Sequence, residues 1–335
     1  MRSRRPVAVL ATFAILALAA CAPSRPGGGG GTANLTLVAY STPKEAYQAL
    51  IAAFQKTEAG KGVGFTQSYG ASGEQSRAVA SGLKADVVAF SLAPDMSRLV
   101  KANLVAADWA KDSFGGMVTD SVVVLVVRKG NPKGIRTWDD LVEPGVDVVT
   151  PNPFTSGGAR WNVLAAYGAR IEQGRSPAEA EQYLRQLYRH VSVQDKSARE
   201  ALQTFSGGKG DVMIAYENEA ITAEQKHLAV DYVVPDQTIL IENPVAVVTS
   251  SKHQEKARAF VDFLHSPEAQ RIFAEKGYRP VLGSALRAAG YPTPSGLFKI
   301  GDVGGWTEVS KTFFDPDTGI MAKVEAELGV STASK

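Results

Sequence analysis

The sequence predicts an α/β fold organised as about two domains. Three observations carry that expectation. Short apolar, β-branched runs alternate with segments of helical periodicity from Asn34 onward, the pattern of strands joined by crossover helices. That stretch is roughly 300 residues long, in a chain that is 44% hydrophobic, enough for more than one core. Several strand patterns also end in glycine or small polar residues that open a helix at once, as in Gly70-Ala71-Ser72-Gly73 and Thr155-Ser156-Gly157-Gly158.

Residues 35–40 read as the first strand. Thr42-Pro43-Lys44-Glu45 has the form of a capping box with proline at the first helical position. Tyr47, Leu50, Ile51 and Phe54 follow at helical spacing and predict one buried face. Residues 64–68 predict a second strand, Ser72-Gly73 a helix reaching about Leu83, and 86–90 a third strand. Residues 121–128 form a long β-branched run closed by Gly130-Asn131-Pro132. Short strands are expected at 147–150, 191–193 and 211–216, each followed by a helical pattern, then a strand at 243–249 and an amphipathic helix at 254–264.

The first residues read differently. Arg2, Arg4 and Arg5 precede an apolar run over 7–20 that is too short for a membrane span, so 1–20 is expected to be a secretory signal. The run ends Leu18-Ala19-Ala20-Cys21, which resembles the lipobox of bacterial lipoproteins. That resemblance implies cleavage before Cys21 and a lipid on its sulfur. Five consecutive glycines at 27–31 make 21–33 a flexible tether. Cys21 is the only cysteine, so disulfides, catalytic thiols and thiolate metal sites are excluded from the mature chain. No other apolar run is long enough to span a membrane, so attachment is expected through the lipid. A net charge of +2, spread along the chain, gives no reason to expect nucleic acid. His190, His227, His253 and His265 show neither metal-ligand nor catalytic-base spacing; no metal and no cofactor are expected.

Strands that end in glycine and serine before a helix suit one chemistry in particular. Ligands of open α/β sheets bind beyond the carboxyl ends of the strands. Helix N-termini there present unpaired N–H groups and a positive dipole end to an anion. Tyr40-Ser41-Thr42, Lys196-Ser197-Ala198 and Tyr216-Glu217 repeat the arrangement. Any one of them could be an ordinary cap; several in one chain point to a shared anion site.

The motifs Thr137-Trp138-Asp139-Asp140-Leu141, Thr150-Pro151-Asn152-Pro153 and Ser156-Gly157-Gly158-Ala159-Arg160-Trp161, with Tyr69-Gly70-Ala71-Ser72-Gly73, Gly210-Asp211-Val212 and Tyr278-Arg279-Pro280, closely resemble the periplasmic sulfate-binding proteins of ABC importers. The likeness runs from about Leu37 to Phe314. It implies a two-lobed periplasmic-binding fold of type II, each lobe a mixed sheet flanked by helices, closing on a ligand held in the cleft. Lobe one would be 34–118 plus 243–335, and lobe two 119–242. It further implies an exported, monomeric, non-enzymatic carrier of sulfate, lipid-anchored outside the membrane, whose partners are the importer's membrane subunits.

The family's ligand residues, carried over by motif, give N–H groups from Ser41, Ser72, Gly157, Gly158 and Ala198 and a hydroxyl from Ser156. The indole contact of the family falls on Tyr216, a departure, and Ser41 stands where the family has aspartate, a mild one because only its N–H is used. The Ser-Gly-Gly run at 156–158 favours sulfate over thiosulfate, whose binders carry Ser-Gly-Asn there. Thiosulfate, molybdate or phosphate is the alternative ligand. An exported hydrolase with Ser72 as nucleophile is a reading of another class; Glu74 stands where the closing glycine of a nucleophile elbow belongs. Arg160, Arg279, Trp161 and Tyr167 are expected to be structural.

Overall fold

A computed structural model of the protein describes residues 33–330 and 332. The signal, Cys21 and all of the tether but its last residue lie outside the described residues. The elements in chain order are β1 (Asn34–Tyr40), α1 (Lys44–Phe54), β2 (Gly64–Gly70), α2 (Ser72–Ala80), β3 (Val87–Ala89), α3 (Ala93–Lys101) and β4 (Met117–Arg128). They continue with β5 (Val148–Pro151), α4 (Gly157–Glu172), α5 (Pro177–Arg189), β6 (Val191–Asp195), α6 (Ala198–Ser206), β7 (Val212–Tyr216), α7 (Glu217–Gln225), β8 (Val230–Val233) and β9 (Gln237–Val247). The chain closes with α8 (Gln254–Leu264), α9 (Pro267–Glu275), β10 (Arg279–Pro280), α10 (Gly283–Ala289), β11 (Gly296–Phe298), α11 (Gly305–Thr312) and α12 (Ile320–Glu327).

The strands run in the order β2-β1-β3-β9-β4-β7-β5-β6. β1 is parallel to β2 and β3, and β5 is parallel to β6 and β7. The antiparallel strands β9 and β4 join these two parallel groups, pairing with each other across 119–122 and 240–243. β9 reaches β3 through 245–247 and β4 reaches β7 through 123–127. The fold is therefore α/β and two-lobed.

The apolar run in β4 shows why its sequence is continuous rather than alternating. Val123, Leu125 and Val127 face one core cluster and Val122, Val124 and Val126 another, all 0–1% exposed. A strand covered on both faces gains burial at every position, about 1.5–3 kcal/mol per large apolar side chain. A separate cluster holds Leu35, Leu37, Tyr47, Leu50 and Phe54 with Phe260, Phe273 and Tyr278, so α1 and α8 cover the first sheet group.

Two expectations differ from the structure. The capping box at Thr42 does not form: Pro43 holds the N-cap position of α1 without a side-chain cap bond, because Glu45 is drawn to Arg199. The second concerns the end of the chain, which the resemblance places in lobe one through 335. Phe298, Val309, Phe313 and Met321 instead pack in the cluster that contains Trp138, Leu164 and Leu184 of the middle segment.

Candidate anion-binding site

The parallel strands aim their carboxyl ends at one place. Tyr40 ends β1, Ser72 follows β2, Ser91 follows β3, Ser156 follows β5, Ser197 follows β6 and Tyr216 ends β7. All six line a single small cavity, with Ser41, Gly158 and Ala198 among the others around it. The cavity is small, about 10 Å³, which leaves no place for an extended ligand. Every lining residue is uncharged.

Three helices begin on this cavity. Ser156 caps α4 through a long bond, 3.4 Å, from the Ala159 N–H to its Oγ, and leaves Gly157 and Gly158 in the first turn. Ser197 caps α6 by accepting from the Glu200 N–H at 3.3 Å, leaving Ala198 in the first turn. Ala71 precedes α2 with no side-chain cap, so the Ser72 N–H stands at that helix end. First-turn N–H groups have no partner within their own helix. Convergent helix ends thus offer an anion several N–H donors and a positive dipole field without a formal cation.

Gly158 marks the centre. A Cβ built there would stand 3.4 Å from Ser156 Oγ, 3.5 Å from the Tyr216 ring and 3.6 Å from the Ala198 Cβ. Tyr216 is buried, and its hydroxyl has no hydrogen-bond partner; Ser91 and Asn243 are its polar neighbours. Burial pushes the phenol well above its ordinary pKa, with Tyr40 adding to the rise, so it stays protonated and able to donate.

The structure brings together Ser41, Ser72, Ser156, Gly158, Ala198 and Tyr216 of the expected set. It does not expose Gly157 in the same way. The position its Cβ would take lies 2.0 Å from Ser91 Oγ, so the Ser91 side chain covers that residue. Sequence reasoning missed Ser91 as a lining residue, while Tyr40, Thr42, Ala71 and Ser197 lay in the strand-end stretches that point to a shared anion site without being named as ligands. Ser91 carried a usable signal, since it follows the third strand directly, but no glycine accompanies it.

Charged groups surround the cavity without entering it. Arg279 and Glu217 form a buried two-pronged pair at 2.6 and 3.0 Å, and Trp161 donates its indole N–H to the Ser91 carbonyl at 2.7 Å; both act structurally, as expected. Arg199 of α6 grips both oxygens of Glu45 on α1, at 2.6 and 2.9 Å, and also bonds Glu219. Burial works against ionising Glu45, but Arg199 and Lys226 outweigh it and hold its pKa at about 2. The Ser72 hydroxyl donates to Asp95 Oδ2 at 2.7 Å and accepts from the Ser91 N–H at 3.0 Å. Its polar partners include no histidine: His190 and His265 bond backbone carbonyls elsewhere. Ser72 therefore lacks the histidine of a Ser-His-Asp arrangement, and the one carboxylate it meets, Asp95, is paired with Arg98.

Residues 35–279 match the family of bacterial extracellular solute-binding proteins. The chain belongs to that family. Such proteins carry a solute outside the cytoplasm and are not enzymes. The chain is 43% identical to a sulfate-binding protein of Synechococcus elongatus over 97% of its length and 96% of the relative's. It is 36% identical to a thiosulfate-binding protein of Escherichia coli, covering 82% and 86% of the two chains. Among solved structures it resembles the sulfate-binding protein SubI from Mycobacterium tuberculosis, with 46% identity, a TM-score of 0.82, and coverage of 84% of this chain and all of the other. Among the described residues no helix is long and apolar enough to cross a membrane.

Proposed function

We propose that this solute-binding protein captures sulfate outside the membrane and presents it to the membrane subunits of an ABC importer. The observation that carries the reading is the cavity itself: convergent helix N-termini, hydroxyls and no charged side chain. Sulfate at neutral pH is fully ionised and only accepts hydrogen bonds. Hydrogen phosphate brings a proton that needs an acceptor; the N–H donors offer none, and a hydroxyl that accepted it would give up the bond it donates to the anion. The nearest carboxylates support this preference, because Glu217 is tied to Arg279 and Asp95 to Ser72 and Arg98.

In this reading the N–H groups of Ser41, Ser72, Gly157, Gly158 and Ala198 and the hydroxyls of Ser156 and Tyr216 hold the anion. The lobes, about 34–118 with 243–289 and 119–242 with the chain after 296, close over it about β4 and β9. Cys21 bears the lipid that keeps a monomeric carrier at the outer face of the membrane. A calorimetric titration with sulfate, thiosulfate, molybdate and phosphate tests the reading. Sulfate should bind at one site and most tightly; tighter binding of phosphate would overturn it. Thiosulfate is the second reading, favoured by the 36% identical relative, and the same titration decides between them.

A further inference from the structure

Ser91 has no assigned role, yet it is one of the best-anchored residues at the cavity. Its N–H donates to Ser72 Oγ at 3.0 Å. Its carbonyl accepts from the Trp161 indole at 2.7 Å and from the Asn243 amide at 3.1 Å. Both backbone groups are satisfied, and the anchors come from three separate segments, so the main chain at this point is held. The residue is 1% exposed; its Oγ makes no hydrogen bond, and its polar neighbour, the Tyr216 hydroxyl, makes none either. An unpaired buried hydroxyl is destabilising, and such groups call for an explanation.

The surroundings supply one. Ser91 lines the cavity, and its Oγ occupies the space over the Gly157 α-carbon, where any β-carbon would come within 2.0 Å. The absence of a side chain at 157 is what lets this hydroxyl reach the first turn of α4. The Ser72 hydroxyl cannot take the same part, since it already donates to Asp95.

We infer that the Ser91 hydroxyl is a direct ligand of the bound oxyanion, donating one hydrogen bond beside the first turn of α4. This inference rests on the anion-site reading above. It adds a donor on the first sheet group facing those on α4 and α6, so the anion itself joins the two sides. It also gives Gly157 a reason distinct from donating its own N–H.

The test is calorimetry on the parent and on Ser91→Ala with the oxyanion the parent binds most tightly among sulfate, thiosulfate, molybdate and phosphate, together with the thermal midpoint of each ligand-free protein. Removing an unpartnered hydroxyl leaves every backbone anchor in place, so the variant should fold, with an unchanged or higher ligand-free midpoint. Its affinity should fall roughly tenfold to a hundredfold, as for a bond to a charged acceptor. Affinity within about twofold of the parent overturns the assignment and leaves the anion-site reading intact. A loss of affinity accompanied by a ligand-free midpoint several degrees lower overturns it too, since that is the mark of a structural hydroxyl. A parent that binds none of the four anions overturns both readings.

Discussion

Ser156 Oγ and the Tyr216 ring both come within 3.4–3.5 Å of where a Gly158 Cβ would lie, and each can be tested alone. Ser156→Ala should weaken sulfate by about 1.5–3 kcal/mol, the range for a hydrogen bond to a charged partner, as read by calorimetry. Tyr216→Phe should lose a similar amount, because the phenol has no other hydrogen-bond partner; an unchanged affinity would make Tyr216 part of the wall only. Gly158→Ala places a methyl group among three side chains at 3.4–3.6 Å, in the space an anion needs. Those are ordinary contact distances, so the methyl group needs no repacking of the protein and should appear as lost binding rather than lost stability. The Ser156-Gly157-Gly158 run was legible in sequence as one of several glycine- and serine-bearing strand ends, and the family resemblance singled it out. Ser91 was not, because its place over Gly157 depends on residues 66 positions apart meeting in space.

At the scale of elements, the joining strands carry a titration that the cavity lacks. Asp120 of β4 lies directly across from Glu242 of β9. Burial, and then the Glu242 charge, raise the Asp120 pKa to about 7. Glu325 on α12 is pushed to about 7 by burial as well. A carboxyl whose folded pKa exceeds its unfolded value binds more protons when folded. Its stabilisation is complete below about 4, and is lost as pH rises through about 7. The ligand-free thermal midpoint should therefore fall between pH 5 and 8, and Asp120→Asn should flatten that slope. No lining residue is a carboxylate or histidine, so sulfate affinity should stay nearly constant over the same range. A midpoint that rises with pH would contradict the assignment to these carboxyls.

Elements buried on both faces or one were the readable ones. The run over 121–128 announced β4, and the spacing in 254–264 announced α8 with its bounds intact. β9 was read from 243 but starts at Gln237, because Gln237, Thr238 and Glu242 interrupt its apolar pattern. β8, β10 and β11 went unseen since they exist through pairing with β4 and β9, contacts that local propensity does not encode.

For the whole molecule, a ligand that binds only the folded protein stabilises it by mass action. Sulfate at 100 times its dissociation constant should add about 2.7 kcal/mol, raising the midpoint in a scan. Release from the membrane is the second whole-chain expectation: Cys21→Ala should move the protein to the soluble fraction of a native-like host, because a lipid is the only anchor proposed. A variant that stays with the membrane would refute that anchor. The α/β class followed from alternating strands and helices and the two-lobed plan from the resemblance to binding proteins, whereas the packing of 298–324 with the middle segment depends on long-range contacts with no local signature.

The central claim, that sulfate sits where the helix ends converge, is tested most directly by diffraction from crystals grown with selenate, a heavier analogue of the same shape and charge. One anomalous difference peak should appear within hydrogen-bond reach of Ser156 Oγ and the N–H groups of Ser72, Gly158 and Ala198. A peak elsewhere, or an empty cavity in crystals of protein saturated with selenate by calorimetry, would contradict the account.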